Sequence, residues 1–84
     1  MRSYFITFRS VTFAQRGEGV LRRAGIDCSL QRTPRRMEEQ GCGYCLRVRD
    51  RDVPGAVELL RGKQVQFRRV YLQLPNGETE EVSL

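Results

Sequence analysis

The chain has 84 residues, which is enough for one small domain with a single modest core and too few for two. Its 15 basic and 10 acidic residues give a formal net charge of +5, and 39% of the residues are hydrophobic, which excludes a disordered tail. No apolar run approaches the ~20 residues that span a bilayer, and the first residues lack the apolar core of a signal peptide, so we expect a cytoplasmic protein.

The N-terminal part of the chain predicts a strand followed by a helix. Residues 4–8 are aromatic and β-branched, as strands prefer, and they precede Ser10, a favourable helix N-cap. Small or apolar residues then recur at helical spacing, namely Phe13, Gly17, Val20, Leu21 and Ala24. Gly25 is expected to end this helix, and Gly17 on its inner face indicates a close approach of the helix to a sheet.

Two segments with alternating apolar and polar residues predict the second and third strands. In residues 28–32, Cys28 shares the parity of Leu30, so we expect Cys28 to be buried beneath a helix, where its thiol stays protonated and inert. In residues 44–49 the alternation places Cys45 on the side of the sheet that faces away from the helices.

The C-terminal half predicts a second helix and a fourth strand. Asp52 is a suitable N-cap, and this helix is expected to end near Gly62. Its inward side consists of Val53, Ala56, Val57, Leu59 and Leu60. Residues 66–74 predict the fourth strand, and the Pro-Asn-Gly sequence at 75–77 predicts a tight turn. Residues 78–84 then either fold back as an edge strand or trail as an acidic tail, and we favour the strand.

The predicted order β-α-β-β-α-β is that of the ferredoxin-like arrangement. In this α+β fold, an antiparallel sheet carries both helices on one face. We expect residues 1–74 to form this single domain and residues 75–84 to form the C-terminal turn and short strand or tail. The open sheet face would then be polar and basic, with Ser29, Gln31, Cys45, Arg47, Arg49, Arg69 and Tyr71. Its basic part, Arg47, Arg49 and Arg69, could bind nucleic acid or an acidic protein.

The most distinctive stretch, residues 33–45, contains two cysteines three positions apart. A glycine on each side of Cys42 leaves the sulfur open and lets the backbone take positive φ, while nearby arginines favour a thiolate over a thiol. The loop expected to stabilise this thiolate comprises Thr33, Pro34, Arg35, Arg36, Gly41 and Gly43. We interpret Cys42 as a reactive thiol and Cys45 as a possible second one. The alternative is that both are small hydrophobic residues near a loop.

The cysteine and histidine content of the chain limits the chemistry that it can perform. Cys28, Cys42 and Cys45 are the only cysteines and there is no histidine, whereas a structural zinc site needs four ligands. The absence of histidine also removes the usual general base for a cysteine or serine nucleophile. We therefore expect no metal site, no cofactor and no self-contained hydrolase.

Four short motifs occur in a particular order: Thr7-Phe8-Arg9-Ser10, Ala24-Gly25-Ile26, Thr33-Pro34-Arg35 and Cys42-Gly43. In this order and spacing the chain resembles, over about residues 3–72, a family of small bacterial domains known as selenium/sulfur carrier-like proteins. The resemblance implies that Cys42 holds sulfur or selenium as a persulfide or selenopersulfide. It also implies that the chain is a carrier more than an enzyme, and that its partners are donor and acceptor proteins.

Two other functions remain open at this point. Cys42 and Cys45 have the C-x-x-C spacing of thiol-disulfide redox motifs, with Cys45 as a resolving thiol. A disulfide needs Cα atoms within ~7 Å, whereas three residues of extended strand span about 10 Å, so this function requires a turn at Gly43.

Nucleic-acid binding ranks third, because the aromatic-rich RNA-binding motif is absent and only Tyr71 and Phe5 could stack on bases. A homodimer is also open.

Overall fold

The computed structural model describes residues 2–33 and 43–83 of the chain, which form two helices and a five-stranded sheet. The strands are β1 (Ser3–Thr7), β2 (Cys28–Arg32), β3 (Tyr44–Arg49), β4 (Val70–Gln73) and β5 (Thr79–Val82). The helices are α1 (Val11–Arg23) and α2 (Val53–Gly62). The predicted order β-α-β-β-α-β is therefore confirmed, and β5 is the edge strand favoured for the C-terminal segment.

The strands are arranged in the order β2-β3-β1-β4-β5, and every neighbouring pair is antiparallel. This confirms the predicted α+β class with an antiparallel sheet, and nothing in the topology conflicts with a ferredoxin-like arrangement. The register places Cys45 beside Thr7 of β1 on one side and beside Gln31 of β2 on the other. The N-terminal end of β3 therefore lies at the same end of the sheet as the C-terminal ends of β1 and β2.

Helix α1 has the boundaries that its capping residues predict. The Ser10 hydroxyl oxygen accepts a hydrogen bond from the backbone N–H of Phe13 at 3.3 Å, as an N-cap should. At the other end, Gly25 has a φ of +81°, and its N–H and that of Ile26 donate to the carbonyls of Arg22 and Leu21. This is a Schellman ending, in which the left-handed position favours glycine.

Helix α2 begins differently from the prediction. The Asp52 side chain makes no capping hydrogen bond, and its backbone is helical rather than extended, because a single 3₁₀ turn, Asp50–Asp52, leads directly into the helix. Asp52 therefore occupies the predicted N-cap position, but its side chain does not cap the helix. The predicted end at Gly62 is confirmed, and Gln64 takes the left-handed position beyond it with a φ of 60°.

The fourth strand is shorter than the predicted 66–74, because two consecutive residues bond to a single residue of β1. The N–H of Arg68 donates to the Thr7 carbonyl at 2.7 Å, while the N–H of Thr7 donates to the Arg69 carbonyl at 2.9 Å. Such a two-against-one pairing is the pattern of a β-bulge, and it interrupts the regular ladder before Val70. The buried Thr7 hydroxyl adds a third contact by accepting from the Arg69 N–H at 3.1 Å.

The main core lies between the helices and one face of the sheet. Its buried residues are Ile6, Phe8, Ala14, Leu21, Leu46, Val48, Val53, Ala56, Val57, Leu60, Val65 and Val70. A second, smaller cluster consists of Phe5, Cys45 and Tyr71, which alternate in sequence with core residues of β1, β3 and β4 and so lie on the other face. Over the described parts of the chain, no helix is both long and apolar enough to cross a membrane.

Candidate functional site

The described residues that flank the Cys42 segment are tied together at one end of the sheet. The N–H of Thr33 donates to the carbonyl of Gly43 at 2.7 Å, so the β2–β3 ladder continues past the last paired strand residues. Thr33 is buried, and Gly43 has a φ of +81°, a backbone conformation that suits glycine. This hydrogen bond joins the two ends of the intervening segment.

Five of the residues assigned to this site from the sequence lie outside the described residues. They are Pro34, Arg35, Arg36, Gly41 and Cys42. The two loop residues that the structure describes, Thr33 and Gly43, are the ones that the hydrogen bond joins.

Arg32 and Tyr44, which are partners in the β2–β3 register, flank this hydrogen bond. The Arg32 guanidinium lies over the Tyr44 ring, 5.5 Å from its centroid. A guanidinium over an aromatic face is electrostatically favourable, so this pair helps to hold together the two strands that lead to the Cys42 segment.

Cys45 occupies the position that strand parity predicts, on the face away from the helices. Its surroundings are not the polar and basic surface expected there, because Cys45 is fully buried and packs in one cluster with Phe5 and Tyr71. The expectation of a uniformly polar open face is therefore wrong at its centre. The sequence pattern could not show this, because a cysteine and a tyrosine are compatible with either side of a sheet.

Cys28 faces the helical layer, as expected, but is only partly buried. Its sulfur lies 3.9 Å from the backbone carbonyl oxygen of Glu18 in α1. Partial burial raises the pKa of the Cys28 thiol, and the neighbouring Arg22 guanidinium opposes this effect. The expected full enclosure is wrong because β2 is the edge strand of the sheet, while the expectation of a protonated thiol agrees with the direction of the pKa shift.

The three arginines of the predicted basic face lie in different environments. Arg47 is exposed and donates from Nε to the Ser3 hydroxyl at 3.0 Å. Arg49 lies 3.9 Å from a carboxylate oxygen of Asp27, and Arg69 lies 3.3 Å from one of Glu81. Two of the three positive charges are therefore offset by a carboxylate, which weakens the positive field of this face.

A second group of arginines, which the sequence interpretation missed, lines a groove of about 790 Å³. Its polar and aromatic walls come from Arg9, Arg61, Gln64, Gln66, Phe67 and Arg68. The signal in the sequence was the position of Arg9 just after the first predicted strand and of Arg68 near the start of the fourth. In a ferredoxin-like order these two strands are neighbours, so their ends meet.

The described residues contain no cluster of three or more cysteine, aspartate or glutamate side chains that could hold a metal ion. Cys42 lies outside the described residues.

A sequence profile of one protein family matches residues 3–72, which is most of the chain. The chain belongs to this family. Its description is "Putative Se/S carrier protein-like", so the resemblance deduced from the four motifs is confirmed at the level of the family. No curated protein and no solved structure matches the chain.

Proposed function

We propose that the protein carries sulfur or selenium on Cys42 and exchanges it with donor and acceptor proteins. The observation that carries this proposal is the hydrogen bond from Thr33 to Gly43, with Gly43 at positive φ, directly beside Cys42 in the chain. It joins the two described residues between which the segment that contains Cys42 runs. Membership of the Se/S carrier-like family supports the same function.

The chemistry needs a thiolate but no separate general base. The Cys42 thiolate attacks the terminal sulfur of a donor persulfide, a new S–S bond forms, and the donor's S–S bond breaks. The electron pair of the broken bond leaves with the donor, which becomes a thiolate. In the second step a nucleophile of the acceptor attacks the terminal sulfur on Cys42, and the Cys42 thiolate is released. The exchange is balanced without an external oxidant, and it fits a chain without histidine.

In this proposal Arg35 and Arg36 stabilise the Cys42 thiolate by their positive charge. A thiolate near guanidinium groups has a lowered pKa, and access to the sulfur then decides the rate of exchange. The other two cysteines are less suited to the role. Cys45 is fully buried, and burial raises the pKa of Cys28.

Alkylation by uncharged iodoacetamide, followed at each cysteine by peptide mass spectrometry across pH, tests this assignment. Cys42 should react fastest and with an apparent pKa below the ~8.5 of a free cysteine. Replacing Arg35 and Arg36 together by alanine should raise that pKa, whereas Arg51→Ala, in the 3₁₀ turn before α2, should leave it unchanged. If Cys42→Ser leaves the fast-reacting fraction intact, the proposal is wrong.

A thiol-disulfide function of Cys42 with Cys45 is the second candidate, and the conformation of Gly43 favours it. The φ of +81° at Gly43 means that the stretch from Cys42 to Cys45 is not a fully extended strand, which was the geometric objection to a disulfide. A reversible two-electron oxidation that Cys42→Ser and Cys45→Ser each abolish would establish this function in place of the carrier. Full burial of Cys45 makes it less accessible to an external thiol than a carrier cysteine should be.

Nucleic-acid binding has the least support. Phe5 and Tyr71 are the aromatic residues that could have stacked on bases, and both are buried, at 5% and 7% exposure. Stacking on single-stranded RNA requires exposed aromatic faces. We propose instead that the partners of the basic surface are the donor and acceptor proteins.

A further inference from the structure

The arginine groove is a positively charged concavity formed by three separate parts of the chain. Arg9 follows β1, Arg61 belongs to the last turn of α2, and Arg68 lies in the bulged segment before β4. Among residues 2–33 and 43–83, no acidic residue contributes to its walls. Each part is tied to a folded element, so the three side chains start from fixed points on the backbone.

Two of the three guanidinium groups lack the carboxylate partner that other arginines have. Within residues 2–33 and 43–83, no carboxylate oxygen lies within 4.0 Å of Arg9 or Arg68, whereas Arg22, Arg49 and Arg69 each have one. Like charges gathered in one concavity repel one another, and this repulsion falls when an anion binds between them.

The groove also has a less polar wall. The Arg61 guanidinium lies over the Phe67 ring, 5.7 Å from its centroid, and Phe67 is partly buried against the core. Gln64 and Gln66 also line the groove, and their side-chain amides are uncharged donors and acceptors. A ligand in this groove therefore meets both positive charge and an aromatic side chain.

We propose that this groove binds a small phosphorylated molecule, with its phosphate groups between Arg9 and Arg68 and its organic part toward Phe67. The planar fork of a guanidinium matches the oxygens of a phosphate. A volume of about 790 Å³ is within the usual range of small-molecule sites and much larger than a phosphate alone requires. The inference does not depend on the carrier function, because it rests on described residues of the groove and none of these is a cysteine.

The groove lies at the same end of the sheet as the Cys42 segment. Thr7 and Cys45 are register partners, Arg9 follows Thr7 by two residues, and Gly43 precedes Cys45 by two. A phosphorylated ligand in the groove would therefore be bound at the end of the molecule where the reactive segment begins.

Titration of the protein with ADP and, separately, with pyrophosphate tests the proposal, with calorimetry for affinity and amide NMR shifts for location. At about 0.15 M salt, where long-range attraction is screened, ADP should bind saturably and shift the amides of residues 64–68. Arg9→Gln and Arg68→Gln should each weaken ADP binding by about tenfold or more, as expected for one charge-assisted contact. The matched control is Arg51→Gln, which removes the same charge from the opposite end of the sheet and should leave the affinity within about twofold.

Three results would overturn the proposal. The first is no saturable binding of ADP, and the second is equal weakening by Arg51→Gln and Arg9→Gln, which would indicate attraction to net charge alone. The third is binding of a poly-glutamate peptide but not of ADP, which would identify the groove as a contact for an acidic protein segment. If pyrophosphate binds as tightly as ADP, the proposed contact between Phe67 and the organic part of the ligand is wrong. Arg9 is exposed, so Arg9→Gln should fold normally. If Arg68→Gln does not fold, the affinity of Arg9→Gln for ADP alone tests the proposal.

Discussion

Gly17 is a buried residue of α1 that lies close to the sheet. A Cβ atom placed there would lie 3.0 Å from the Phe8 ring and 3.3 Å from a Leu46 methyl group, and both side chains are fully buried. In an open helix position, replacing glycine by alanine stabilises by about 1 kcal/mol. At Gly17 the crowding of two immobile side chains should outweigh that gain.

We therefore expect opposite effects from two glycine substitutions in the same helix. Gly17→Ala should lower the free energy of unfolding by about 1–2 kcal/mol, and Gly19→Ala should raise it by up to about 1 kcal/mol. Gly19 is the matched control because a Cβ there meets only the flexible end of Arg23, at 3.4 Å. Urea unfolding of both variants measures the difference. If Gly17→Ala is as stable as Gly19→Ala, α1 does not pack as described.

The pH dependence of Cys28 follows from its position at the start of β2, beside Glu18 of α1. Burial raises the pKa of this thiol above its ordinary value, and the Arg22 guanidinium acts in the opposite direction. The folded protein therefore keeps Cys28 protonated at a pH where the unfolded chain begins to ionise. Its contribution to stability is complete below the unfolded pKa and is lost as pH rises through the higher folded pKa.

Alkylation at Cys28 should consequently be slow near neutral pH and should accelerate with a midpoint above the ~8.5 of a free cysteine. Arg22→Gln should move this midpoint further upward, and unfolding in urea should return it to the ordinary value. Peptide mass spectrometry resolves Cys28 from the other cysteines. A midpoint below the ordinary value would contradict the described environment.

At the scale of elements, the β2–β3 hairpin determines how the Cys42 segment is attached. Gly43 has a φ of +81°, which costs a residue with a Cβ about 1–2 kcal/mol, although asparagine tolerates it better than alanine does. Gly43→Ala should therefore destabilise the fold more than Gly43→Asn in urea unfolding. Gly55→Ala in α2 is the control, since nothing lies within 4 Å of its Cβ position and its φ is not positive. Equal stability of the two Gly43 variants would contradict the backbone described here.

The helices and strands were predictable because the apolar residues of each recur at a characteristic spacing, and because residues that favour caps or turns mark where it ends. The pattern of α1 predicted its extent between Ser10 and Gly25, and alternation in β2 and β3 predicted those strands residue for residue. The start of β4 was not predictable, because the bulge at Arg68 and Arg69 depends on hydrogen bonds to Thr7, sixty-one and sixty-two positions away in the chain. The 3₁₀ turn before α2 was likewise not predictable, because the residues at the start of the helix are equally suited to a helix with or without such a turn.

The candidate site was predictable only in part, for a different physical reason. Glycines beside a cysteine and arginines nearby are local signals, and the Gly43 conformation agrees with them. The arginine groove is a non-local feature, because Arg9, Arg61 and Arg68 meet only when β1, α2 and β4 pack together. The buried cluster around Cys45 is non-local in the same sense.

At the scale of the whole molecule, two separate features lie at one end of the sheet. The Thr33–Gly43 hydrogen bond and the groove lined by Arg9 and Arg68 both lie there. The net charge of +5 adds a long-range attraction for acidic partners.

The central claim is that Cys42 is the sulfur-carrying residue, and intact-mass analysis after persulfide transfer tests it most directly. The reduced protein is incubated with glutathione persulfide, freed of excess reagent and weighed, in parallel with Cys28→Ser, Cys45→Ser and Cys42→Ser. We expect the parent, Cys28→Ser and Cys45→Ser each to gain one sulfur, about 32 Da, that a reducing thiol then removes. Cys42→Ser should gain none. Retention of the full gain in Cys42→Ser would contradict the account.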